Sequence, residues 1–370
     1  MFCAQGRLTP LAHFVSMDLN DQIQQCSREV NMSRVTLRAV AKKAGVSYQT
    51  VSNVINNMDI VRPETREKVQ AVIQQMGYVP NYAAKALRQA RAMTVACVFY
   101  RVYEAQVQDP YRTLVQAALA HSARNLNCSL LTYHLTDDPE SCKDIVQHFA
   151  QGRLDGAVLV GPGMPAGALK QLKGTGQPLV VFDHVHAVPH WQSITAAYRE
   201  GILGVLRHLA ERGKKRIAFL SGVQSEQGLN TTGEERLQGY LEGMRQLGFP
   251  ILPGHLVQGN WTFEGGKNAF HYFWSLPSRP EAIVAANDRM AAGVLNAALH
   301  AGVKVPEDLC ITGVDDFEFA QYLVPALTTV RIPYQEMADL AMDLLLQQKA
   351  GQVASGVVRL PVTLQIRESS

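Results

Sequence analysis

Val40-Ala41-Lys42-Lys43-Ala44-Gly45-Val46-Ser47-Tyr48-Gln49-Thr50-Val51-Ser52-Asn53-Val54-Ile55 holds two short helical patterns separated by one glycine. Val40, Ala41 and Ala44 give the first an apolar face, Gly45 breaks it, Val46 packs the corner, and Ser47 can cap a new helix at once. In the second, Val51, Val54 and Ile55 recur at i, i+3, i+4, and the opposite face carries Tyr48, Gln49, Ser52 and Asn53. Two helices joined by a tight glycine turn match the helix-turn-helix that lays its second helix in a DNA major groove. Gln49 and Asn53 stand one turn apart. Amide side chains bond bidentately to adenine N6 and N7, which makes these two the candidate base readers. The competing reading is a solvated polar face on an ordinary helical hairpin; spacing, cap and charge all favour the groove.

The charge is divided along the chain. The 370 residues carry 35 Lys plus Arg and 32 Asp plus Glu, a formal +3, yet residues 32–91 hold ten basic and three acidic side chains, +7. Residues 1–31 are −1 and residues 92–370 are −3. A basic head on a mildly acidic body predicts a polyanion partner at one end only. Pro63 suits the first turn of a third helix, Val69, Val72, Ile73 and Met76 form its core stripe, and Gly77 ends it. Arg62, Arg66 and Lys68 are within reach of phosphates. After it, Asn81, Ala83, Ala84 and Ala86 allow close approach of two copies, and Leu87 can wedge between base steps in the minor groove.

With 47 % apolar residues the chain has enough core for two or three domains, which excludes a disordered or collagenous protein. From Thr94 onward, apolar runs alternate with amphipathic stretches. The runs are Thr94 to Tyr100, Ser129 to Tyr133, Gly156 to Val160, Leu179 to Asp183, Arg216 to Ser221, Ala282 to Ala286, Cys310 to Val314 and, last, Val358 to Ile366. Helices are expected near 111–126, 139–151, 198–212, 234–247, 264–275, 288–301 and 335–349. Strand and helix in alternation predict doubly wound parallel sheets, two of them, with a ligand cleft between. No apolar run approaches the roughly 20 residues of a membrane helix. Residues 1–31 read as a disordered extension without a secretion signal, with Met17 and Met32 as alternative starts. The six cysteines show no CxxC, so reduced thiols in a cytoplasmic protein are expected.

These residues resemble the lactose/galactose repressor (LacI/GalR) family of bacterial transcription regulators. The resemblance is carried in the head by Val35-Thr36-Leu37, Val40-Ala41, Ala44 through Ser52, Thr65 through Val69, and Asn81 with Ala84 and Leu87. Through the body, to about Arg367, it continues in Asp109-Pro110-Tyr111, Gly213 through Ile217, Arg236 through Tyr240, Asn287 through Ala291 and Gly313 through Asp316. It departs at Ala39, where the family usually has an acid, and at Tyr198-Arg199, where many relatives have Asp-Asn. It implies a helix-turn-helix head over 32–80, a hinge helix over 81–92, and a periplasmic-binding-protein-like core over 93–370. In that core the N-subdomain takes 93–196 and 332–352, and the C-subdomain 197–331 and 353–370. The DNA-facing set becomes Thr36, Ser47, Tyr48, Gln49, Thr50, Ser52, Asn53, Asn56, Thr65, Tyr78, Asn81, Ala84 and Leu87.

The same resemblance places Tyr111, Asp183, Arg236, Trp261, Asn287 and Asp315 around an effector. Independently, Asp183, Asn287 and Asp315 each end or follow an expected strand, where open sheets hold their ligands. Carboxylate, amide and guanidinium groups with one indole face suit a sugar or sugar derivative. Two patterns mislead. Gly161-Pro162-Gly163 with Gly167 imitates a dinucleotide fingerprint, but Pro162 and Pro165 lack the N–H groups a pyrophosphate needs. Asp183-His184-Val185-His186 with His190 imitates a metal cluster but reads as scattered loop histidines. No catalytic constellation, metal or cofactor is expected. The reading is a homodimeric repressor of operator DNA under effector control; its rival is a cytosolic sugar-binding module or sugar enzyme with a fused basic head. Dimers rather than tetramers are expected, because no heptad tail follows Ile366.

Overall fold

The computed structural model describes residues 35–55, 58–78, 93–100, 109–136, 138–161, 166–185, 191–222, 232–352 and 355–370. The chain divides into two units, residues 1–89 and 90–370.

In the first unit, α1 (Leu37–Ala44) starts at Thr36, whose hydroxyl accepts from the Ala39 N–H at 3.2 Å. It ends at Gly45, whose φ of 66° is the left-handed turn that glycine takes without a Cβ clash. Ser47 then caps α2 (Tyr48–Ile55), its Oγ accepting from the Thr50 N–H at 3.0 Å. Pro63 opens α3 (Pro63–Met76) and Gly77 closes it. Val40, Ala41, Ala44, Val51, Val54 and Val69 meet in a small core. Tyr78 lies in the same core.

The second unit holds two six-stranded sheets. In the first the order is β11-β5-β4-β3-β1-β2, all parallel, built from β1 (Thr94–Tyr100), β2 (Ser129–Leu135), β3 (Gly156–Val160), β4 (Leu179–Phe182), β5 (Gln192–Ala196) and β11 (Gly356–Leu360). Its helices are α4 (Pro110–Asn125), α5 (Lys143–Ala150), α6 (Ala166–Gly174) and α11 (Tyr334–Lys349). The second sheet runs β12-β10-β9-β8-β6-β7, from β6 (Ile217–Ser221), β7 (Leu256–Gln258), β8 (Ala282–Ala285), β9 (Cys310–Asp315), β10 (Thr328–Arg331) and β12 (Thr363–Gln365). Only β12 is antiparallel to its neighbour. Its helices are α7 (Tyr198–Glu211), α8 (Thr232–Leu247), α9 (Phe263–Ser275) and α10 (Asp288–His300). β1, β3, β4, β6, β8 and β9 are buried along their whole length, which is why they read as unbroken apolar runs.

Several expectations needed correction. The single run Val358 to Ile366 is two strands in two sheets: Pro361 has no N–H to continue the ladder, and the chain crosses there. The C-terminal boundary of the N-subdomain therefore moves from 352 to 360, and only the residues after Pro361 join the second sheet. The helix expected over 139–151 is a 3₁₀ turn, Pro139–Cys142, followed by α5. Strands β5, β7 and β10 and helix α6 were missed. β7 has three residues, with mostly exposed side chains, and is too short to show a period.

Among the described residues no helix is long and apolar enough to cross a membrane. Cys97, Cys142 and Cys310 are buried and Cys128 half-buried, none of the four in a disulfide; burial pushes the Cys97 thiol up to about 12. Cys3 and Cys26 lie outside the described residues.

Candidate functional site

In the first unit, the face of α2 away from the core presents Tyr48, 47 % exposed, and Gln49, whose Nε2 donates to Asn53 Oδ1 at 2.9 Å. This bond fixes the two amides relative to one another on the exposed helix edge. Thr36 and Ser47 are exposed and Thr50 and Thr65 half-buried, at or beside the helix starts. Ser52 and Tyr78 differ from expectation: at 2 % and 8 % exposure their side chains lie inside the head. Ser52 sits roughly 60° around the helix from Ile55, on the shoulder of the apolar stripe rather than opposite it. Asn56, Asn81, Ala84 and Leu87 lie outside the described residues, as do residues 1–31 and the whole of 81–92.

In the second unit, all six residues expected around an effector line one cavity of about 180 Å³: Tyr111, Asp183, Arg236, Trp261, Asn287 and Asp315. They come from both lobes. In each sheet the strand order reverses beside the first strand, β1 and β3 parting in one and β6 and β8 in the other. The C-terminal ends of these strands are where a doubly wound sheet leaves a crevice. Tyr100, Gly161 and Asn287 all line the cavity from such ends.

Asp183 follows β4 and Asp315 ends β9, both with positive φ, 59° and 115°. Asp residues tolerate the left-handed region better than most. Arg236, on α8, donates through Nη2 to Asp315 Oδ1 at 3.1 Å and through Nη1 to the Ala286 carbonyl. Its guanidinium lies 4.3 Å from the Tyr198 ring and 5.2 Å from the Trp261 ring. Trp261 itself rests on Gly222, where any Cβ would meet the indole at 1.9 Å. Asn287 caps α10 by accepting from the Met290 N–H at 2.9 Å, while its Nδ2 donates to the Trp261 carbonyl at 3.3 Å. Tyr111 stacks edge-on against Tyr334 at 5.7 Å; its buried hydroxyl sits near the Asp183 carboxylate without a hydrogen bond of normal geometry.

Burial dominates the electrostatics. It raises the Asp183 carboxyl above its usual range, against the opposing Tyr198 hydroxyl and Arg236. It pushes Asp315 up to about 7, again against Arg236. Burial disfavours the Arg236 cation as well, but Asp315 and the surrounding tyrosines outweigh it, and the guanidinium stays charged. Such a cavity offers acceptors, the guanidinium groups of Arg112 and Arg236 and aromatic faces in a low-dielectric space.

Sequence reasoning missed several groups here. Asp109, which caps α4, pairs across the cleft with Arg289 at 3.5 Å. Phe99 and Phe317 supply apolar wall. Asp109 and Arg289 each belong to a motif already singled out, but nothing in the spacing indicates that the two motifs face each other. His184 is half-buried beside Asp183, and His186 and His190 lie outside the described residues. Among the described residues no group of three His, Cys, Asp or Glu side chains could hold a metal.

Comparison with known proteins gives two family matches: residues 36–81 to bacterial regulatory proteins, lacI family, and residues 206–370 to a periplasmic binding protein-like domain. The HTH-type transcriptional repressor CytR of Escherichia coli K12 is 30 % identical over 341 residues, covering 90 % of this chain and 96 % of that one. A crystal structure of the lac repressor dimer bound to operator and the anti-inducer ONPF superposes with a TM-score of 0.75 at 27 % identity, over 91 % of this chain and 99 % of that one. The transcriptional regulator CelR in complex with cellobiose superposes with a TM-score of 0.67 at 28 % identity, over 91 % and 100 %.

Proposed function

Because the chain belongs to the lacI family of bacterial regulatory proteins, we propose that it is a dimeric transcriptional repressor whose hold on operator DNA is set by a sugar or sugar derivative in the interlobe cavity. The observation that carries this is the convergence of six polar and aromatic side chains, from separate elements of both lobes, on one cavity. Asp183 and Asp315 accept from ring hydroxyls, Arg236 and Asn287 orient the ring, and Trp261 covers an apolar C–H face. The lac repressor dimer on operator and the CelR–cellobiose complex support the DNA partner, the dimer and the sugar class.

In the head, Gln49 and Asn53 read bases, Tyr48 and the helix starts meet the backbone, and Leu87 enters the minor groove. A ligand acts only through unequal affinity for the two lobe arrangements; a rotation of one lobe then changes the spacing of the two 81–92 segments in a dimer and biases their folding. Coupling of this kind is typically about 1–3 kcal/mol.

The test is to incubate the protein with sheared genomic DNA of its host at several salt concentrations, sequence what is retained, and titrate the recovered site with free sugars. A steep negative log–log salt slope with one enriched near-palindrome, and a fivefold or larger affinity change with one sugar, are expected. Absence of any enriched sequence refutes the regulator reading. An enriched site that no sugar or sugar derivative affects refutes the effector class.

A further inference from the structure

The chain passes between the lobes at Ala197, at Ile332-Pro333 and at Pro361-Val362, between elements of the two sheets. The first residue after the first crossing is Tyr198, which begins α7 of the second lobe. The first after the second crossing is Tyr334, which begins α11 of the first lobe. Both side chains are buried, at 1 % and 3 % exposure. Tyr198 Oη donates at 2.7 Å to Oδ1 of Asp183, which belongs to the first lobe. Tyr334 Oη donates at 3.0 Å to Oδ1 of Asp315, which belongs to the second. Each tyrosine is thus rooted in the helix of one lobe and bonded to the strand-end aspartate of the other.

The two bonds are joined through the cavity wall. Arg236 lies on the Tyr198 ring and pairs with the same Asp315 oxygen that Tyr334 reaches, while Tyr111 packs edge-on against the Tyr334 ring beside Asp183. In both aspartates the oxygen reached from the crossing is Oδ1, and both carboxylates line the cavity. A hydrogen bond to a buried, charged or partly charged acceptor is stronger than a neutral one, and losing one partner leaves the other unsatisfied. Tyr198 occupies part of the Tyr198-Arg199 departure from the family pattern, and its hydroxyl makes the cross-lobe bond.

We propose that Tyr198 and Tyr334 are reciprocal positioning residues: their hydroxyls aim Asp183 and Asp315 and lock the angle between the lobes, so that whatever engages the aspartates acts directly on the crossings. The link to operator binding rests on the function proposed above, but the lock itself is a property of the free protein and is tested without DNA or effector.

Tyr198→Phe and Tyr334→Phe remove one hydroxyl each and keep the ring. Tyr240→Phe is the control. Its hydroxyl is as deeply buried and donates to the Ile217 carbonyl at 2.8 Å, but wholly within the second lobe. Hydrogen exchange of the full-length protein, followed by mass spectrometry, reads the crossings, where the Ala197 N–H donates to the Leu360 carbonyl and the Tyr334 N–H to the Ile332 carbonyl, each at 2.9 Å. About tenfold faster exchange in peptides spanning 195–199, 331–335 and 358–362 is expected in both cleft variants, with no change there in Tyr240→Phe. Unchanged exchange in both cleft variants, acceleration in only one, or an equal acceleration in Tyr240→Phe overturns the proposal. Should a tyrosine variant fail to fold, Asp183→Asn and Asp315→Asn weaken the same bonds from the acceptor side, with the same exchange readout and the same criteria.

Discussion

Replacing Gly222 by alanine tests the cavity wall with the smallest possible perturbation. Gly222 has an ordinary φ, so alanine carries no backbone strain, and the effect comes from one methyl group. That Cβ would stand 1.9 Å from Trp261 Cε2, 2.0 Å from Cζ2 and 2.6 Å from Cδ2, so the indole must retreat by about 1.5 Å to reach ordinary contact. Overpacking of this kind costs about 1–3 kcal/mol. The retreat also disrupts the 5.2 Å stacking of Arg236 on the indole, worth about 0.5–2 kcal/mol. For a body of this size the overpacking alone corresponds to a fall in Tm of about 2–12 °C. Differential scanning calorimetry supplies the Tm, and tryptophan emission reports the displaced indole. The response of that emission to the sugar found in the operator titration should vanish. Gly204→Ala, on α7 with nothing within 4 Å of its Cβ, should instead raise stability by about 0.5–1 kcal/mol. If Gly222→Ala leaves Tm and emission where Gly204→Ala leaves them, Trp261 does not rest on that glycine.

Gln49→Ala should cost about 1–3 kcal/mol at one operator position, and Asn53→Ala should affect the same or the adjacent position because the two amides are hydrogen-bonded; unaltered base preference in both, by competitive selection, excludes them as readers. Asp315 has a folded pKa near 7 against about 4 unfolded, so the folded state holds the extra proton between these values. Its stabilising contribution is complete below about pH 4 and lost as pH rises through about 7. Urea unfolding across pH 4–8 should show that fall in the wild type and a flatter curve in Asp315→Asn; parallel curves refute the assignment. Asp288 is fully buried, accepting from the Phe317 N–H at 2.9 Å and from the Thr329 hydroxyl. Asp288→Ala leaves both groups unpartnered, at about 1–3 kcal/mol each, whereas in Asp288→Asn the amide oxygen can accept from the Phe317 N–H and the amide nitrogen can donate to the Thr329 hydroxyl oxygen; equal Tm values for the two variants would contradict this.

The sequence was most legible where a local rule acts alone. The Gly45 turn, the Ser47 cap and the Val51, Val54, Ile55 stripe all lie within one stretch of chain, and the fold reproduces them. The buried central strands were equally visible, since burial on both faces leaves an unbroken apolar run. Ser52 was misjudged because a small polar side chain at the edge of a stripe carries no hydrophobic signal, and Tyr78 because its ring turns inward past the end of α3. What stayed hidden depends on contacts distant in sequence. Val358 to Ile366 looks like one strand until two different sheets take its halves. The Asp109–Arg289 pair and the cross-lobe bonds of Tyr198 and Tyr334 exist only once the lobes face each other.

The three crossings bear on the order in which the molecule can be built. The outer strand of the first sheet, Gly356–Leu360, pairs with Gln192–Ala196 from more than 150 positions earlier. During synthesis the first lobe therefore waits, with that sheet edge open, while residues 197–355 emerge from the ribosome. An open edge of this kind is a template for wrong pairing. Nascent chains stalled before residue 356 should be those that recruit chaperones, and release should follow once that segment has cleared the exit tunnel.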